Sequence, residues 1–490
     1  MQVIETHTME EIFERIKPCE AFKMQGNHNP VMTQRFGADP YALVYDGRVY
    51  LYMTGDDPMY DENGKLKENT YGNINKINVV SSQDLVNWTD HGTVYAASES
   101  GAAKWGANSW APAATYKKID GKDRFFLYFA NNGNGIAVLS ADSPVGPFID
   151  PINGPLISRK TPNCAEVTWL FDPAVLMDDD GSAYLYVGGG VPSPDKASNP
   201  GTARVVKLAN DMISLDGDPQ PIENVAFLFE DSGINKINDK YYYSYCSNFS
   251  MTREDEEKHG FEQGEIVTLV SDSPMGPFKP YRPVLKNPEF FFGLGGNNHH
   301  CMFEFKNQWY ITYHSRILEE AMGMNGGYRS TNIDILDIKD GGPSVSKGTR
   351  EGVKQLSYLN PYDEVKAVTM SNSAGINTVQ YGDDAVLSGS GDMIVSVIKD
   401  GSWLSVEGVD FGDEKPFEIC MKIKSSGEGA IRVSIDGYDG QAIAYVPVEA
   451  SGNEDEDIFI ALEYVPEGVH DLYFTFAGSD YEVISWRFLK

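Results

Sequence analysis

Three acidic residues open similar segments of the chain and are the first candidates for chemistry. Asp39 stands in ADPYALVY, Asp172 in FDPAVLM and Glu230 in FEDSGINKI, while Trp110 and His299 open two further segments of the same kind. Two carboxylates on opposite sides of a sugar can hydrolyse a glycosidic bond, because one protonates the leaving oxygen while the other activates water or attacks directly. A third carboxylate can hold the acid in place and raise its pKa.

The repeated segments themselves must bring these positions together. Between residues 36 and 338, one pattern recurs five times at intervals of roughly 60 to 70 residues: a short apolar strand, a Gly, Asp or Asn turn, an aromatic-rich strand and a further strand. Such units predict an all-β chain with a five-bladed β-propeller, in which the opening residue of each repeat faces the central channel. A β-sandwich or a β-helix fits this repeat length less well.

The rest of the chain divides around this region. Residues 1–27 form an N-terminal segment in which 9–17 has the period of a short helix. The propeller is predicted over 28–338, and the Gly-, Ser- and Lys-rich stretch 339–352 predicts a linker. Residues 353–490 alternate strand-sized apolar runs with Gly-rich turns, which predicts a β-sandwich of the jelly-roll kind.

Charge and composition exclude several classes of partner. The 490 residues carry a formal charge of −31, which disfavours nucleic acid and anionic membranes. No apolar run reaches the length of about 20 residues that crosses a bilayer, and the N-terminus lacks the pattern of a signal peptide. Five cysteines without a CxxC motif favour reduced thiols. We therefore expect a cytoplasmic protein, or a secreted one if a leader has been removed.

Aromatic and acidic residues near the carboxylates have more than one interpretation. Trp110 and Trp169 are candidate platforms on which a sugar stacks, and core packing is the alternative for each. The acidic run 178–180 has the composition of a metal site, but it falls at a predicted hairpin and is interpreted as a solvated turn.

The propeller region resembles glycoside hydrolase family 43. The resemblance rests on FGADPYALVYDGRVYLY, NSWAPAA, WLFDPAVLMDDDG, FLFEDSGINKINDKYYYSY and NNHHCMFEFKNQWYITYH. It implies that Asp39 is the general base, Glu230 the general acid and Asp172 the carboxylate that orients the acid and tunes its pKa. That family is inverting, so the base and acid carboxyls are expected about 6.5–9.5 Å apart.

The same resemblance implies a histidine in the channel near a calcium ion. His299 matches the family position best, and its neighbour His300 must point to the opposite face of a strand. Because calcium prefers oxygen ligands, His299 is expected to meet the ion through water. Arg329, in GGYRSTNID, resembles the arginine that enters the same cleft, with a solvated salt bridge as the alternative. No organic cofactor is expected, since no phosphate-binding loop occurs.

The C-terminal region resembles carbohydrate-binding module family 6 through GSWLSVEGVDFG, AIRVSIDG and GVHDLYFTFAG. Its usual sugar-binding and calcium positions are replaced: Asn372 and the loop 451–457 stand where aromatic residues are expected, Val483 replaces an asparagine, and Val368 and Ser485 replace the calcium ligands. We therefore predict a sandwich that has kept its core, has lost the usual sugar site, and packs against the propeller or closes part of the cleft. Trp403 is predicted to lie in its core.

Together these features favour an exo-acting hydrolase that releases L-arabinofuranose from arabinoxylan or its oligosaccharides. A β-xylosidase with the same three carboxylates is the alternative within the class. A propeller that binds sugars without catalysis is the alternative outside it, but such a protein has no need of Asp39, Asp172 and Glu230 together.

Overall fold

The computed structural model describes residues 8–381, 392–397, 399–452 and 454–490. Strands predominate, so the predicted all-β class is confirmed. The helices of the described residues are short, and none is long and apolar enough to span a membrane. They are α1 (Met9–Arg15), α2 (Arg253–His259), α3 (Pro288–Phe292), α4 (Ile317–Ala321) and a single 3-10 turn (Pro194–Lys196).

Five antiparallel sheets follow one another along the chain, one for each predicted repeat. Within each sheet, strands adjacent in sequence are adjacent in space. The first two sheets contain β1 (Ala38–Tyr45), β2 (Arg48–Thr54), β3 (Lys76–Ser82), β4 (Trp88–Tyr95), and β5 (Trp110–Ile119), β6 (Lys122–Ala130), β7 (Gly135–Ala141), β8 (Ile157–Ser158). The third contains β9 (Ala174–Met177), β10 (Ala183–Val187), β11 (Arg204–Leu208) and β12 (Gln220–Pro221). The last two contain β13 (Leu228–Ile237), β14 (Lys240–Ser247), β15 (Ile266–Ser271), β16 (Lys279–Leu285), and β17 (His300–Phe305), β18 (Gln308–Ser315), β19 (Ser330–Ile335).

The first strands of the five sheets contact one another in an order that closes on itself. β1 contacts β5, β5 contacts β9, β9 contacts β13, β13 contacts β17, and β17 contacts β1. A separate apolar cluster fills the space between each pair of neighbouring sheets, including the space between the first and the fifth. The aromatic and β-branched residues of the middle strands supply these clusters, which explains their period-2 pattern.

Two further sheets face each other in the C-terminal part. A continuous apolar core that includes Phe474 and Trp486 lies between them. The strands of this part are β22 (Val365–Lys366), β23 (Thr369–Met370), β24 (Asn372–Ala374), β25 (Ile376–Gln380), β26 (Met393–Val397), β27 (Trp403–Asp410), β28 (Glu418–Ser425), β29 (Gly429–Ile435), β30 (Gln441–Val448), β31 (Asp455–Ala461), β32 (Val469–Gly478) and β33 (Tyr481–Leu489). One sheet has the order β25-β26-β33-β28-β31, with β22 on β33, and the other has the order β24-β27-β32-β29-β30, while β23 belongs to neither.

The C-terminal part packs directly against the first sheet. Strand β23 pairs with β4 and so extends that sheet by a fifth strand. Across the same junction, buried Asp90 accepts a hydrogen bond from the Thr378 hydroxyl at 2.7 Å, while on its own side of the junction it forms an ion pair with Arg35. His28 meets Glu407 at 3.0 Å. Because buried charges must be paired to be tolerated, these contacts fix the docking of the two parts.

The segment 339–352 is attached to the fifth sheet along its length. It contributes to a small hairpin, β20 (Ile338–Lys339) with β21 (Gly342–Pro343). Beyond the hairpin, the Ser346 hydroxyl donates to the Ile335 carbonyl at 2.7 Å, and the Thr349 hydroxyl donates to Asp334 at 2.5 Å. The Gly- and Ser-rich composition indicated a linker, but these side-chain hydrogen bonds hold the connection in place.

Trp403 is buried, as predicted, but it does not lie in the core between the two C-terminal sheets. Trp403 is 5% exposed and packs beside Tyr473, and its Nε1–H donates to the carbonyl of Cys19 at 2.8 Å. The amide of Asn372 likewise donates to the carbonyl of Lys23 at 2.9 Å. The N-terminal segment that follows α1 therefore covers this face of the C-terminal sheets.

Residue 453, in the loop 451–457, lies outside the described residues.

Candidate active site

A pocket of about 450 Å³ opens where the first strands of the five sheets begin. It contains all seven residues that the sequence singles out for the site: Asp39, Trp110, Trp169, Asp172, Glu230, His299 and Arg329. The other described lining residues are Tyr71, Ile74, Asn132, Gly133, Phe171, Phe229 and Asn297. The starts of the five first strands, one from each repeat, thus bring together residues that are far apart in the sequence, as the sequence predicts. The C-terminal part of the described chain contributes no lining residue, so it does not close this pocket.

A backbone kink recurs at the start of four first strands. Asp39, Ala111, Asp172 and Asp231 have φ values of 48°, 44°, 48° and 70°, and the strand pairing is irregular at each of these positions in β1, β5 and β13. A positive φ in a residue other than Gly costs on the order of 1–3 kcal/mol and is concentrated at functional sites. The kink interrupts regular pairing where Asp39 and Asp172 line the pocket and where Trp110 and Glu230 stand beside the kinked residue.

The kink corrects the sequence alignment of the repeats. Asp39 and Asp172 are structurally equivalent to Ala111 and Asp231, whereas Trp110 and Glu230 each stand one residue earlier. The equivalence assumed for Trp110 and Glu230 is therefore wrong by one residue, although both side chains still line the pocket. The Pro that follows Asp39, Ala111 and Asp172 indicates this offset for Trp110, but Ser232 stands in its place after Asp231.

Asp39 is held from three sides. Its Oδ1 accepts a hydrogen bond from Arg329 Nη1 at 2.9 Å, and its Oδ2 accepts one from the Thr54 hydroxyl at 2.8 Å. His314 Nδ1 lies 3.1 Å from Oδ1 and 3.2 Å from the Asp39 backbone nitrogen. Asp39 is 6% exposed. Such a carboxylate is fixed in both position and direction.

Arg329 is in turn oriented by residues between β2 and β3. Asp56 accepts hydrogen bonds from the Arg329 backbone N–H at 2.8 Å, from Nε at 3.1 Å and from Nη2 at 3.2 Å. The guanidinium carbon lies 4.9 Å from the centre of the Tyr71 ring, a cation–π distance. Asp56 and Tyr71 carry no repeat signal in the sequence, which is why the sequence analysis did not find them.

Asp172 and the two histidines meet at Asp231. The Asp231 backbone N–H donates to Asp172 Oδ2 at 2.9 Å. His299 lines the pocket, with Nδ1 at 3.7 Å from Asp39 Oδ1 and 3.8 Å from Asp172 Oδ2. His300 lies behind it, with Nδ1 at 2.5 Å from Asp231 Oδ2. Of the two histidines, His299 is the one that faces the site, as the sequence predicts.

The pocket gives its carboxyls different proton affinities. Burial of Asp39 favours a higher pKa, but the charge of Arg329 and the hydrogen bond to His314 outweigh it and hold the pKa of Asp39 well below its usual range. Burial, followed by the charges of neighbouring carboxylates, raises the pKa of Glu230 well above its usual range. At neutral pH, Asp39 is therefore the base of the pocket and Glu230 its acid.

The pKa of Asp172 is also raised well above its usual range. Burial and the charge of Asp39 raise its pKa, while the Asp231 N–H and Arg329 oppose the rise. The ionised form of Glu230 is not stabilised by a comparable hydrogen bond, since its buried Oε1 has no hydrogen-bond partner in the described part of the chain. Of this pair of carboxyls, Asp172 is therefore the first to ionise, and its charge then keeps the proton on Glu230.

Aromatic rings form the wall beside Glu230. Trp169 is half-buried and makes edge contacts with Phe171 and Phe229, with ring centres 5.4 and 5.3 Å apart. Trp110 is also half-buried, and its Nε1–H donates to the Tyr71 carbonyl at 3.0 Å. Both indole rings are half-buried and border the pocket, so they are candidates for a surface on which a sugar ring stacks.

The surroundings of His299 do not fit direct ligation of calcium. Its Nε2 lies 3.1 Å from Asp231 Oδ1, and its Nδ1 lies between two carboxylates. The described residues contain no group of three or more His, Cys, Asp or Glu arranged to hold a metal ion. No step of the chemistry below is therefore assigned to a metal.

The acidic run 178–180 lies at the hairpin between β9 and β10, outside the pocket. Lys236 Nζ donates to Asp178 at 2.8 Å and to Asp179 at 2.7 Å, and the Tyr241 hydroxyl donates to Asp178 at 2.6 Å. The run is a turn held by a lysine, in agreement with its interpretation as a turn rather than a metal site.

Comparison with known proteins agrees with this geometry. Residues 27–343 match the model of the glycosyl hydrolases family 43, and residues 366–490 match that of the carbohydrate binding module family 6. A protein of Paenibacillus polymyxa named arabinoxylan arabinofuranohydrolase is 46% identical over 472 residues, 93% of this chain and 73% of that one. A protein of the same name from Bacillus subtilis (strain 168) is 44% identical over 469 residues, 93% of this chain and 90% of that one.

A solved structure is similar over almost the whole chain. It is a family 43 arabinoxylan arabinofuranohydrolase from Bacillus subtilis in complex with cellotetraose, with a TM-score of 0.91 and 43% identity, covering 96% of this chain and 99% of that one. The family match spans the five sheets and every residue of the pocket. The chain is a glycoside hydrolase and belongs to glycosyl hydrolases family 43.

Proposed function

We propose that this enzyme releases α-L-arabinofuranose from arabinoxylan or from its oligosaccharides with inversion at the anomeric carbon. The opposite pKa shifts of Asp39 and Glu230 in one pocket support this most directly, because an inverting hydrolase needs an ionised base and a protonated acid at the same pH. The two relatives named arabinoxylan arabinofuranohydrolase, both at least 44% identical, support the substrate.

In the proposed reaction, the Asp39 carboxylate removes a proton from a water molecule as that water attacks the anomeric carbon. The bond from this carbon to the bridging oxygen breaks, and Glu230 gives its proton to that oxygen. Arabinose leaves with inverted configuration, and the rest of the substrate regains a hydroxyl group. Asp39 is then protonated and Glu230 ionised, and exchange with solvent restores both. Asp172 raises the pKa of Glu230, and Arg329 keeps Asp39 ionised.

The aromatic wall is assigned to substrate binding. Trp169 and Trp110 present partly free ring faces to the pocket, where the apolar face of a sugar ring can stack. Arg329 can also donate to a sugar hydroxyl, although its contacts with Asp39 and Asp56 make orientation of the base its main role. Nucleic acid and membranes have no part in this proposal.

The fold that supports the site is proposed to be a five-bladed propeller over 28–338, followed by a β-sandwich over 353–490. The closed order of the five first strands and the apolar layer between each pair of neighbouring sheets support the propeller. The single core between two facing sheets supports the sandwich. The described N-terminal residues 8–27 then pack on the C-terminal domain, and residues 339–352 connect the two domains. A calcium ion held through water near His299 and a cytoplasmic location stay predictions.

The first test compares two aryl glycosides. We expect the purified enzyme to hydrolyse p-nitrophenyl α-L-arabinofuranoside with a higher kcat/KM than p-nitrophenyl β-D-xylopyranoside. A preference for the xyloside would keep the mechanism and change the substrate to that of a β-xylosidase. Hydrolysis of neither glycoside, nor of arabinoxylan oligosaccharides, by folded enzyme would favour a propeller that only binds sugars.

A second prediction separates the acid from the base. Glu230→Ala should lower kcat on arabinoxylan oligosaccharides by about 10²–10⁴-fold, but far less on an aryl arabinofuranoside whose phenol needs no protonation. Asp39→Ala should lower kcat on both substrates, because water must be activated in each case. Asp180→Ala, at the exposed turn, is the matched control and should keep full activity. Equal losses of both variants on both substrates would contradict the assignment.

A third prediction concerns the pH profile. Because Glu230 must be protonated to act on arabinoxylan oligosaccharides, kcat/KM on these substrates should fall as the pH rises through the elevated pKa of Glu230. Asp172→Asn removes a negative charge next to Glu230, so it should lower that pKa and move the alkaline limb of kcat/KM to lower pH, by on the order of one unit. An alkaline limb that stays in place or moves to higher pH would show that Asp172 does not tune the acid.

A further inference from the structure

The residue next to the acid, Asp231, has a central position that the reaction above does not use. Asp231 is fully buried. Its Oδ2 accepts from the His300 backbone N–H at 3.2 Å and from His300 Nδ1 at 2.5 Å, while its own backbone N–H donates to Asp172. Its Oδ1 lies 3.1 Å from His299 Nε2, a close contact that is not a well-aligned hydrogen bond.

The carboxylate of Asp231 determines where the neighbouring histidines carry their protons. An ionised carboxylate only accepts hydrogen bonds, so a bare lone pair on His299 Nε2 at 3.1 Å would be repelled. The proton of a neutral His299 therefore lies on Nε2. Burial lowers the pKa of His299, which favours the neutral ring. His300 follows the same logic, since its Nδ1–H donates to Asp231 and its Nε2 is left to accept the Ser244 hydroxyl at 2.9 Å.

The other ring nitrogen of His299 then carries a lone pair at the wall of the pocket. Nδ1 is 3.7 Å from Asp39 Oδ1 and 3.8 Å from Asp172 Oδ2, too far to bond directly to either. A hydroxyl group that enters between the two carboxyls would find this nitrogen as an acceptor. A sugar is the class of ligand that brings several hydroxyls into such a pocket.

We propose that Asp231 is a positioning residue that fixes His299 as the Nε2–H tautomer, so that His299 Nδ1 accepts a hydrogen bond from a sugar hydroxyl between Asp39 and Asp172. The identity of the sugar rests on the proposed function. The tautomer of His299 is inferred from its contact with Asp231 and does not depend on that function. Asp231 acts through His299 and does not itself touch substrate. A buried acceptor that must be matched by a hydroxyl discriminates strongly against ligands that lack it.

The substitution Asp231→Asn tests the proposal with little change in shape. The backbone N–H to Asp172 remains, and the amide oxygen can still accept from His300. The amide NH₂ would then face His299 Nε2 and donate to it, which reverses the His299 tautomer and removes the acceptor from the pocket. We expect kcat/KM on an aryl arabinofuranoside to fall by about 100-fold or more.

Asp334→Asn is the matched control. Asp334 is likewise a buried carboxyl of the five-sheet region, bonded to Tyr313 and Thr349 at 2.8 and 2.5 Å, but it does not line the pocket. It should lower the melting temperature while keeping kcat/KM within about 3-fold, since it touches no group that meets substrate. An Asp231→Asn enzyme that folds and keeps kcat/KM within the same limit would overturn the proposal.

Nitrogen NMR of the wild-type enzyme decides the tautomer without any risk of misfolding. With ¹⁵N-labelled histidine, and with His299→Gln to assign the signal, we expect an Nε2–H tautomer near neutral pH. Addition of L-arabinose should shift the Nδ1 resonance as it accepts a hydrogen bond. An Nδ1–H tautomer, or a doubly protonated ring, would overturn the role of Asp231. An Nε2–H tautomer with no shift at saturating arabinose would overturn the acceptor role of His299.

These two measurements also separate this proposal from the proposed function. If the wild-type enzyme hydrolysed no arabinofuranoside, the tautomer in the absence of sugar would still decide what Asp231 does. If the enzyme hydrolysed arabinofuranosides but His299 were not the Nε2–H tautomer, the proposed function would be retained and the role of Asp231 would be rejected.

Discussion

The site depends on one buried guanidinium placed among several buried carboxyls. Arg329 is the permanent cation among the described residues that line the pocket, and it is bonded to Asp39 and Asp56. Asp172 and Glu230 line the same pocket without a bond to Arg329. Because like charges in a buried site cannot all ionise, the carboxyl farthest from support keeps its proton. An acid and a base thus exist at the same pH. The position of the Arg329 side chain determines that Asp39 is the base and Glu230 the acid.

The five-sheet architecture explains how this arrangement is reached and held. Each sheet supplies one or two site residues from near the start of its first strand, and in four of the five sheets the chain is kinked there, at Asp39, Ala111, Asp172 and Asp231. Four residues with positive φ carry strain of on the order of 1–3 kcal/mol each. The apolar clusters between neighbouring sheets, and the regular pairing further along each strand, keep the kinks in place. The same kinks leave backbone N–H groups, such as that of Asp231, free to bond to carboxylates.

The repeats in the sequence were sufficient to predict the sheets and to place the predicted residues in one pocket. They did not determine the register to a single residue, because Pro follows the kink in three repeats and Ser232 follows it in the fourth. The adjacent acids Glu230 and Asp231 were therefore interchangeable by pattern alone. Asp56 and Tyr71 lie outside the repeat, so only tertiary contacts reveal them. For the same reason, the composition of 339–352 indicated a linker, whereas Ser346 and Thr349 attach it to the fifth sheet.

The proposed mechanism requires a buried Glu230 carboxyl that remains protonated at neutral pH, and infrared spectroscopy measures this protonation directly. The wild-type enzyme should show the C=O stretch of a protonated carboxylic acid at pH 7, and this band should be absent from Glu230→Gln. As the pH is raised, the band should disappear together with the alkaline fall in kcat/KM. A wild-type spectrum without the band at pH 7, or a band that persists in Glu230→Gln, would contradict the assignment of Glu230 as the acid.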